Sequence, residues 1–256
     1  MKDVDWGLTA ADYGRFRIGF PDSLYDRLVA TGVGLPGQRI LDLGTGTGAM
    51  ARAFARRGCV ATGLDRSAAI LAEGARLARE EGLLVRWVAG RAEEPGLASA
   101  SFDAVVAGQC WHWFDRPRAA QEGMRLLVPA GRLAICHFDW LPLPGNVVEA
   151  TEELVVRHNP AWDHGGGNGL YPQWLPDLSA VGYLSIASFH YDVDVPYTHE
   201  GWRGRIRASA GVSASLPPEA VERFDADHAL LLARRFPAQL LAVPHRIWVA
   251  LARAPA

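Results

Sequence analysis

Residues 39–67, RILDLGTGTGAMARAFARRGCVATGLDRS, constrain what this chain can fold into more than any other stretch. A short apolar run (39–43) meets three alternating glycines, Gly44, Gly46 and Gly48. An Ala- and Arg-rich helical segment follows and stops at Gly58, and a second apolar run ends on Asp65. Glycines let the backbone turn sharply and leave no Cβ between the main chain and a ligand. The helix after them aims its unpaired N–H groups, and the positive end of its dipole, at the same place. An acid at the tip of the next strand, about 20 residues on, can accept hydrogen bonds from ribose hydroxyls. Strand, glycine turn, helix, strand and acid in this order imply an α/β unit that takes an adenosine-containing cofactor.

The same alternation continues to residue 138. Strands are expected at 39–43, 59–65, 84–90, 101–108 and 131–138, with helices at 48–58, 67–82 (capped by Ser67) and 116–131. Repeated βα units predict a doubly wound, mostly parallel sheet. Beyond 138 the pattern changes to Pro-, Gly- and Trp-rich stretches with helices at 147–158, 172–182 and 217–236. Two late strands, 183–197 and 241–254, fit an antiparallel hairpin on the sheet edge. The expected architecture is one domain over 1–256. Residues 1–35 cover the cofactor and 36–138 form its core. Residues 139–182 and 198–240 form a helical cap, and the two late strands complete a seven-stranded sheet.

Composition narrows the function classes. The formal net charge is -2 over 256 residues, and no stretch concentrates Lys and Arg, so nucleic acid is not an expected partner. No run approaches the ~18 apolar residues of a membrane helix. The first twenty residues hold no signal-type apolar core. Cys59, Cys110 and Cys136 are widely spaced and odd in number, which reads as free packing thiols in a reducing compartment. A cytoplasmic chain, monomer or homodimer, is expected.

The glycine pattern by itself leaves two cofactors open, because GTGTGA also satisfies the dinucleotide fingerprint G-x-G-x-x-A. Three features argue against NAD. Asp42 precedes the loop within LDLGTGTG, the fifth strand leads into a hairpin rather than a second mononucleotide half, and no later Ser–Tyr–Lys constellation suggests hydride chemistry.

On these residues the chain resembles the class I S-adenosylmethionine-dependent methyltransferases. ILDLGTGTG is similar to that family's first motif, and GLD ending at Asp65 to its acidic ribose site. AGRAEEPGLASASFDAVVAGQCWHWFD is similar to its adenine loop and fourth strand. DYGRFRIGFP resembles a family variant of Tyr-x-x-x-Arg-Pro-x-Tyr-Pro, with Ile18 and Phe20 in place of a Pro and a Tyr. Arg91 stands where many relatives carry Asp. The resemblance implies a Rossmann-like methyltransferase fold and S-adenosyl-L-methionine as cofactor. It places Asp42, Gly44, Thr45, Gly46 and Gly48 along the amino-acid and ribose parts, Asp65 on the ribose hydroxyls, and Arg66 beside the adenine. It also places Ala92 and Glu93 at the adenine edge, Gln109 near the methionine moiety, and Tyr13 and Arg17 over the cofactor.

Methyl transfer asks for an acceptor held in line with the methyl–sulfur bond and a group that can take its proton. QCWHWFD and HFDW follow the fourth and fifth strands, where ligands of open α/β sheets sit. His112, His137 and, in the glycine-rich DHGGGNG, His164 are therefore the candidate bases. Trp113, Trp140, Tyr171 and Trp174 are the candidate acceptor wall; packing into the cap is the other reading of these rings. Arg203, Arg205 and Arg207 either recognise an acidic acceptor or face solvent. His158, Asp163 and His164 match no strong ligand spacing, and no metal is expected.

Transfer of a methyl group to a small organic acceptor, aromatic and secondary-metabolite types included, is the expected activity. Binding S-adenosylmethionine without methylation, in another reaction or as a regulator, is the alternative, and an NAD-dependent oxidoreductase is the third.

Overall fold

The computed structural model describes residues 19–163 and 165–256. Its strands are β1 (Arg39–Leu43), β2 (Val60–Asp65), β3 (Val85–Ala89), β4 (Phe102–Gly108), β5 (Leu127–Trp140), β6 (Leu184–Thr198) and β7 (Leu240–Arg253). They form one seven-stranded sheet in the order β3-β2-β1-β4-β5-β7-β6. Strands β1 to β4 are parallel to their neighbours, as is β5 to β4. β7 runs against β5, since Ala130 N–H donates to Pro255, Ala254 N–H to Gly131, and Leu141 N–H to Pro244. The mostly parallel sheet with a reversed C-terminal strand is the one expected from the βα alternation.

Interior strands are buried on both faces and so read as unbroken apolar runs. Ile40, Leu41 and Leu43 of β1, and Ala104 to Ala107 of β4, are fully buried. The order reverses between β1 and β4, the switch point at whose carboxyl ends open α/β sheets hold their ligands.

The helices are α1 (Asp22–Ala30), α2 (Ala49–Arg56), α3 (Ala68–Glu80), α4 (Arg116–Leu126), α5 (Val147–His158), α6 (Leu175–Val181), α7 (His199–Arg207) and α8 (Pro218–Arg235). Local chemistry sets their starts. Ser67, Asp115, Asn146 and Thr198 each accept a backbone N–H in the first turn of the following helix.

Three boundaries differ from the sequence reading. α4 stops at Leu126 rather than 131, and β5 begins at once, because Pro129 disfavours helical backbone at Val128. Phe102 then pairs with Leu127 across an irregular register. Residues 172–182 divide into a 3-10 turn, Pro172–Trp174, and α6. α7 was not anticipated; its hydrophilic sequence HEGWRGRIR hides a buried face of Trp202, Gly204 and Ile206.

The chain forms two compact units. The larger comprises Gly19–Phe138, Tyr171–His190 and Ile247–Ala256. The described part of the smaller comprises Asp139–Leu170, without residue 164, and Tyr191–Arg246. The core of the larger unit is built on Leu41, Phe54, Val105, Trp111 and Ile135. That of the smaller is built on Val148, Trp202, Phe224 and Leu232.

Candidate cofactor and acceptor site

All three glycines after β1 adopt left-handed backbone, with φ of 63° at Gly44, 58° at Gly46 and 79° at Gly48. Their missing side chains serve different ends. A Cβ on Gly44 would lie 2.9 Å from both Cys110 Sγ and Phe114 Cζ, and a Cβ on Gly48 would collide with the Trp87 ring. Among the described residues, a Cβ on Gly46 would meet no atom within 4 Å. Two glycines therefore permit close packing, and Gly46 is left uncovered by the described residues. Trp87 also fills the space beside Gly63 and Gly74, so this one indole from β3 supports the turn from beneath.

Two carboxylates hold the turn. Asp65, at the tip of β2, accepts the Gly46 N–H on Oδ2 and the Ser67 N–H on Oδ1, each at 3.0 Å. Each oxygen keeps a second lone pair for an outside donor. Asp42 is buried at 2 % exposure and accepts the Thr45 hydroxyl at 2.6 Å and the Ala51 N–H at 3.2 Å. Burial pushes its carboxyl up to about 7 against those two bonds, with Asp65 adding a smaller upward push. Thr45 and Asp42 thus brace the loop from inside, while Asp65 stands at its rim.

After β3 the chain turns through Arg91–Glu94, an isolated antiparallel bridge. Gly90 N–H donates to the Asp65 carbonyl at 3.0 Å, joining this loop to the acid. Ala92 and Glu93 are buried. The Glu93 carboxylate accepts the Asp115 N–H at 2.9 Å and lies 3.4 Å from Arg91 Nε, so it is engaged within the protein. Arg66 is exposed beside Asp65.

Gln109 follows β4 with φ of 60°, an unfavourable backbone for a residue with a Cβ. Its N–H donates to Cys136 and its side-chain amide to the Phe138 carbonyl, which ties the ends of β4 and β5 together. The 3-10 turn Trp111–Trp113 comes next and leaves His112 and Trp113 exposed.

Four of the sequence candidates join His137 or one another in a single aromatic cluster of the larger unit. His137 is 1 % exposed. Its ring centroid lies 5.4 Å from His112, 4.4 Å from Tyr171 and 4.7 Å from Trp174. His112 rests on Trp113 at 4.6 Å, and Tyr171 stacks on Trp174 at 4.2 Å. Trp248 of β7 completes the cluster at 5.6 Å from both Tyr171 and Trp174. Sequence reasoning missed Trp248, because nothing in a terminal strand marks which face meets which loop. His112 presents its ring at the surface, whereas His137 sits behind its neighbours.

Trp140 belongs to the smaller unit. Its Nε1 donates to Glu152 at 2.8 Å, Arg205 lies over its ring, and Trp202 meets it edge-on. Arg203 and Arg207 pair with Asp225 and Glu200 within that unit. Tyr13, Arg17 and His164 lie outside the described residues.

The family described as the methyltransferase domain matches residues 41–135. An uncharacterised methyltransferase of Mycobacterium tuberculosis is 30% identical over 205 residues, covering 72% of this chain and 79% of that protein. Among solved structures, the YcgJ protein from Bacillus subtilis has a TM-score of 0.59 at 19% identity, over 90% of this chain and 97% of its own. Phosphoethanolamine N-methyltransferase 2 of Haemonchus contortus, solved with phosphomonomethylethanolamine and S-adenosylhomocysteine, has a TM-score of 0.59 at 21% identity. That match spans 100% of this chain and 58% of the other.

Proposed function

This chain belongs to the class I S-adenosylmethionine-dependent methyltransferases, and from that premise we propose that it methylates a small organic acceptor with S-adenosyl-L-methionine as the donor. The observation that carries the reading is the rim formed by Gly46 and Asp65. A carboxylate with two lone pairs to spare stands beside a left-handed glycine whose Cβ position meets no atom of the described residues. A ribose diol, which brings two O–H donors, fits those two carboxylate acceptors. The loop at 90–94 follows directly from Asp65 through the Gly90 bond, so the backbone of Ala92 would meet the adenine. When bound, the cofactor supplies an electrophilic methyl group on a sulfonium centre.

The protein's part is to hold the acceptor, exclude water and take a proton. His112 and Trp113, exposed after β4 beside the switch-point crevice, would form the acceptor surface together with the half-buried Tyr171. His112 is the proposed proton acceptor. His137, enclosed by three rings, would support that wall from behind. A wall of aromatic faces suits a flat, unsaturated acceptor, and the Trp and Tyr rings also tolerate the sulfonium charge.

The test is titration calorimetry with S-adenosylhomocysteine and with NAD, followed by label transfer from methyl-labelled cofactor to a panel of small phenols, quinols and amines. Saturable S-adenosylhomocysteine binding with label transfer is expected. Binding of NAD alone would replace this reading with an oxidoreductase. Tight S-adenosylhomocysteine binding without transfer to any acceptor would favour a non-methylating role.

A further inference from the structure

Trp87 of β3 is the register partner of Gly63 on β2, so their side chains leave the sheet on the same face. Gly63 offers only hydrogen, and the half-buried indole occupies a slot made by three glycines from three different elements. A Cβ on Gly63 would lie 3.1 Å from Trp87 Cζ3. A Cβ on Gly74, in the middle of α3, would lie 2.8 Å from Cη2 and 2.9 Å from Cζ3. A Cβ on Gly48, the N-cap of α2, would collide with the same ring.

Two of these glycines are unfavourable where they stand. Gly63 is inside a strand and Gly74 inside a helix, where glycine is less stable than alanine. Neither has left-handed backbone, so conformation does not call for glycine at either position. The space around them does. Besides the indole, a Cβ on Gly63 would meet Thr45 Cγ2 at 2.9 Å, and one on Gly74 the Thr47 carbonyl at 3.0 Å. Thr45, Thr47 and Gly48 all belong to the turn after β1, so β2, α3 and that turn close around a single ring. The turn is also bonded to β2 directly, by Thr45 N–H to the Leu64 carbonyl at 2.9 Å and by Gly46 N–H to Asp65 at 3.0 Å. Those bonds fix its Thr45–Gly46 end, and the indole stands under its Gly48 end.

Resting on the cofactor reading above, we propose that Trp87 is a positioning residue for S-adenosyl-L-methionine. By filling the slot between Gly48, Gly63 and Gly74, it sets where the turn stands relative to Asp65, and through the turn it sets cofactor affinity. A smaller side chain leaves a cavity under Gly48, and the turn then settles toward β2 and α3 or samples several positions. Either response disturbs the spacing of the Gly46 backbone and the Asp65 carboxylate on which the ribose depends. Trp87 acts on the turn and not by contact with the cofactor, so any change that displaces the ring within its slot should have the same consequence.

Titration calorimetry with S-adenosylhomocysteine on the full chain, beside thermal melts, tests this without knowing the acceptor. Trp87→Leu should weaken binding by about tenfold or more. Trp87→Phe keeps an aromatic ring but not the reach to Gly48; it should lose about threefold or more, and it serves if the leucine variant does not fold. Gly74→Ala pushes the ring from α3. It should weaken binding by about fivefold in the unaltered chain and by less than about twofold in the Trp87→Leu chain, since the Thr47 contact is common to both and cancels. Phe102→Leu, buried at the amino end of β4, is the control for general loosening. At a comparable drop in melting temperature it should leave affinity within about twofold of the unaltered protein. Affinity within that margin in both Trp87 variants would overturn the proposal. So would equal losses from Gly74→Ala in the two backgrounds, or a loss in Phe102→Leu as large as that in Trp87→Leu. Failure of S-adenosylhomocysteine to bind the unaltered protein would instead remove the cofactor reading, and this inference with it.

Discussion

Three glycines that look equivalent in GTGTG carry different loads. Among the described residues nothing crowds Gly46, whereas Gly48 faces Trp87, although both adopt left-handed backbone. Gly46→Ala should cost roughly 1–3 kcal/mol from its backbone alone, yet put a methyl group where the ribose is proposed to lie. Gly48→Ala carries the same backbone cost and adds a clash with an indole that is itself packed against Gly63 and Gly74. Thermal melts should therefore fall further for Gly48→Ala, while S-adenosylhomocysteine affinity should fall further for Gly46→Ala. The reverse ranking in both measurements would contradict the assignment of roles. Asp65→Ala should weaken S-adenosylhomocysteine binding by roughly 1–3 kcal/mol, the range for hydrogen bonds to a charged group, as read by calorimetry. Sequence spacing was sufficient to put an acid, Asp65, at the strand tip beside the glycine turn. It could not separate Gly46 from Gly48, nor show that Glu93 is engaged by Asp115. Those facts depend on Trp87 and Asp115, side chains and amides that arrive from elsewhere in the chain.

At the scale of elements, ends that depend on local chemistry were legible and partners across the sequence were not. α5 runs from Val147 to His158 as expected, because Asn146 caps it and Asn159–Pro160 ends it. α7 escaped notice because the charges that make it look solvated, Arg203 and Arg207, meet Asp225 on α8 and Glu200. Burial alone would raise the Asp225 carboxyl, but the bonds from both guanidinium groups hold it below its ordinary value. A second junction joins three helices of the smaller unit. The Thr151 hydroxyl on α5 donates to the Val147 carbonyl at 2.7 Å and lies 3.0 Å from Trp202 Nε1 of α7 and 3.1 Å from His228 Nε2 of α8. With its proton committed to Val147, Thr151 accepts from both rings, which assigns His228 the Nε2–H tautomer. Thr151→Val preserves the shape but leaves two buried donors without an acceptor. It should lower stability by about 2–6 kcal/mol in a denaturant melt, at roughly 1–3 kcal/mol for each orphaned group. Thr151→Ser, which keeps the hydroxyl, should lose far less. Equal losses for the two variants would mean that the junction is held by packing alone.

Across the whole molecule, a mostly parallel sheet with a reversed C-terminal strand followed from the alternation of apolar runs and helices, because repeated βα units force parallel strands. The distribution of buried ionisable groups did not, and it makes the two units respond to acid in opposite senses. His228 and His245 belong to the smaller unit, and burial lowers each to about 4. His228 faces Arg203, Arg207 and His199 of α7, with Asp225 on its own helix; His245 faces Arg205, Asp139 and Asp194. Because their folded values lie below the unfolded one near 6.5, the unfolded state binds more protons as pH falls, and stability falls with it. From pH 7 to 5 each histidine should remove about 2 kcal/mol from the smaller unit. Asp42, in the larger unit, has the opposite sign. Its folded value near 7 lies above the unfolded carboxylate value, so it gains protons in the native state and contributes about 2 kcal/mol over the same interval. Hydrogen exchange, corrected for intrinsic rates, should show opening free energies falling in α5, α7 and α8 and rising in β1 and α2 between pH 7 and 5. His228→Gln, which retains a donor toward Thr151, should remove about half of the fall, and Asp42→Asn should abolish the rise. A parallel fall in both units would show that Asp42 is already ionised in the folded protein at pH 5, and that the glycine turn is braced by a charged carboxylate.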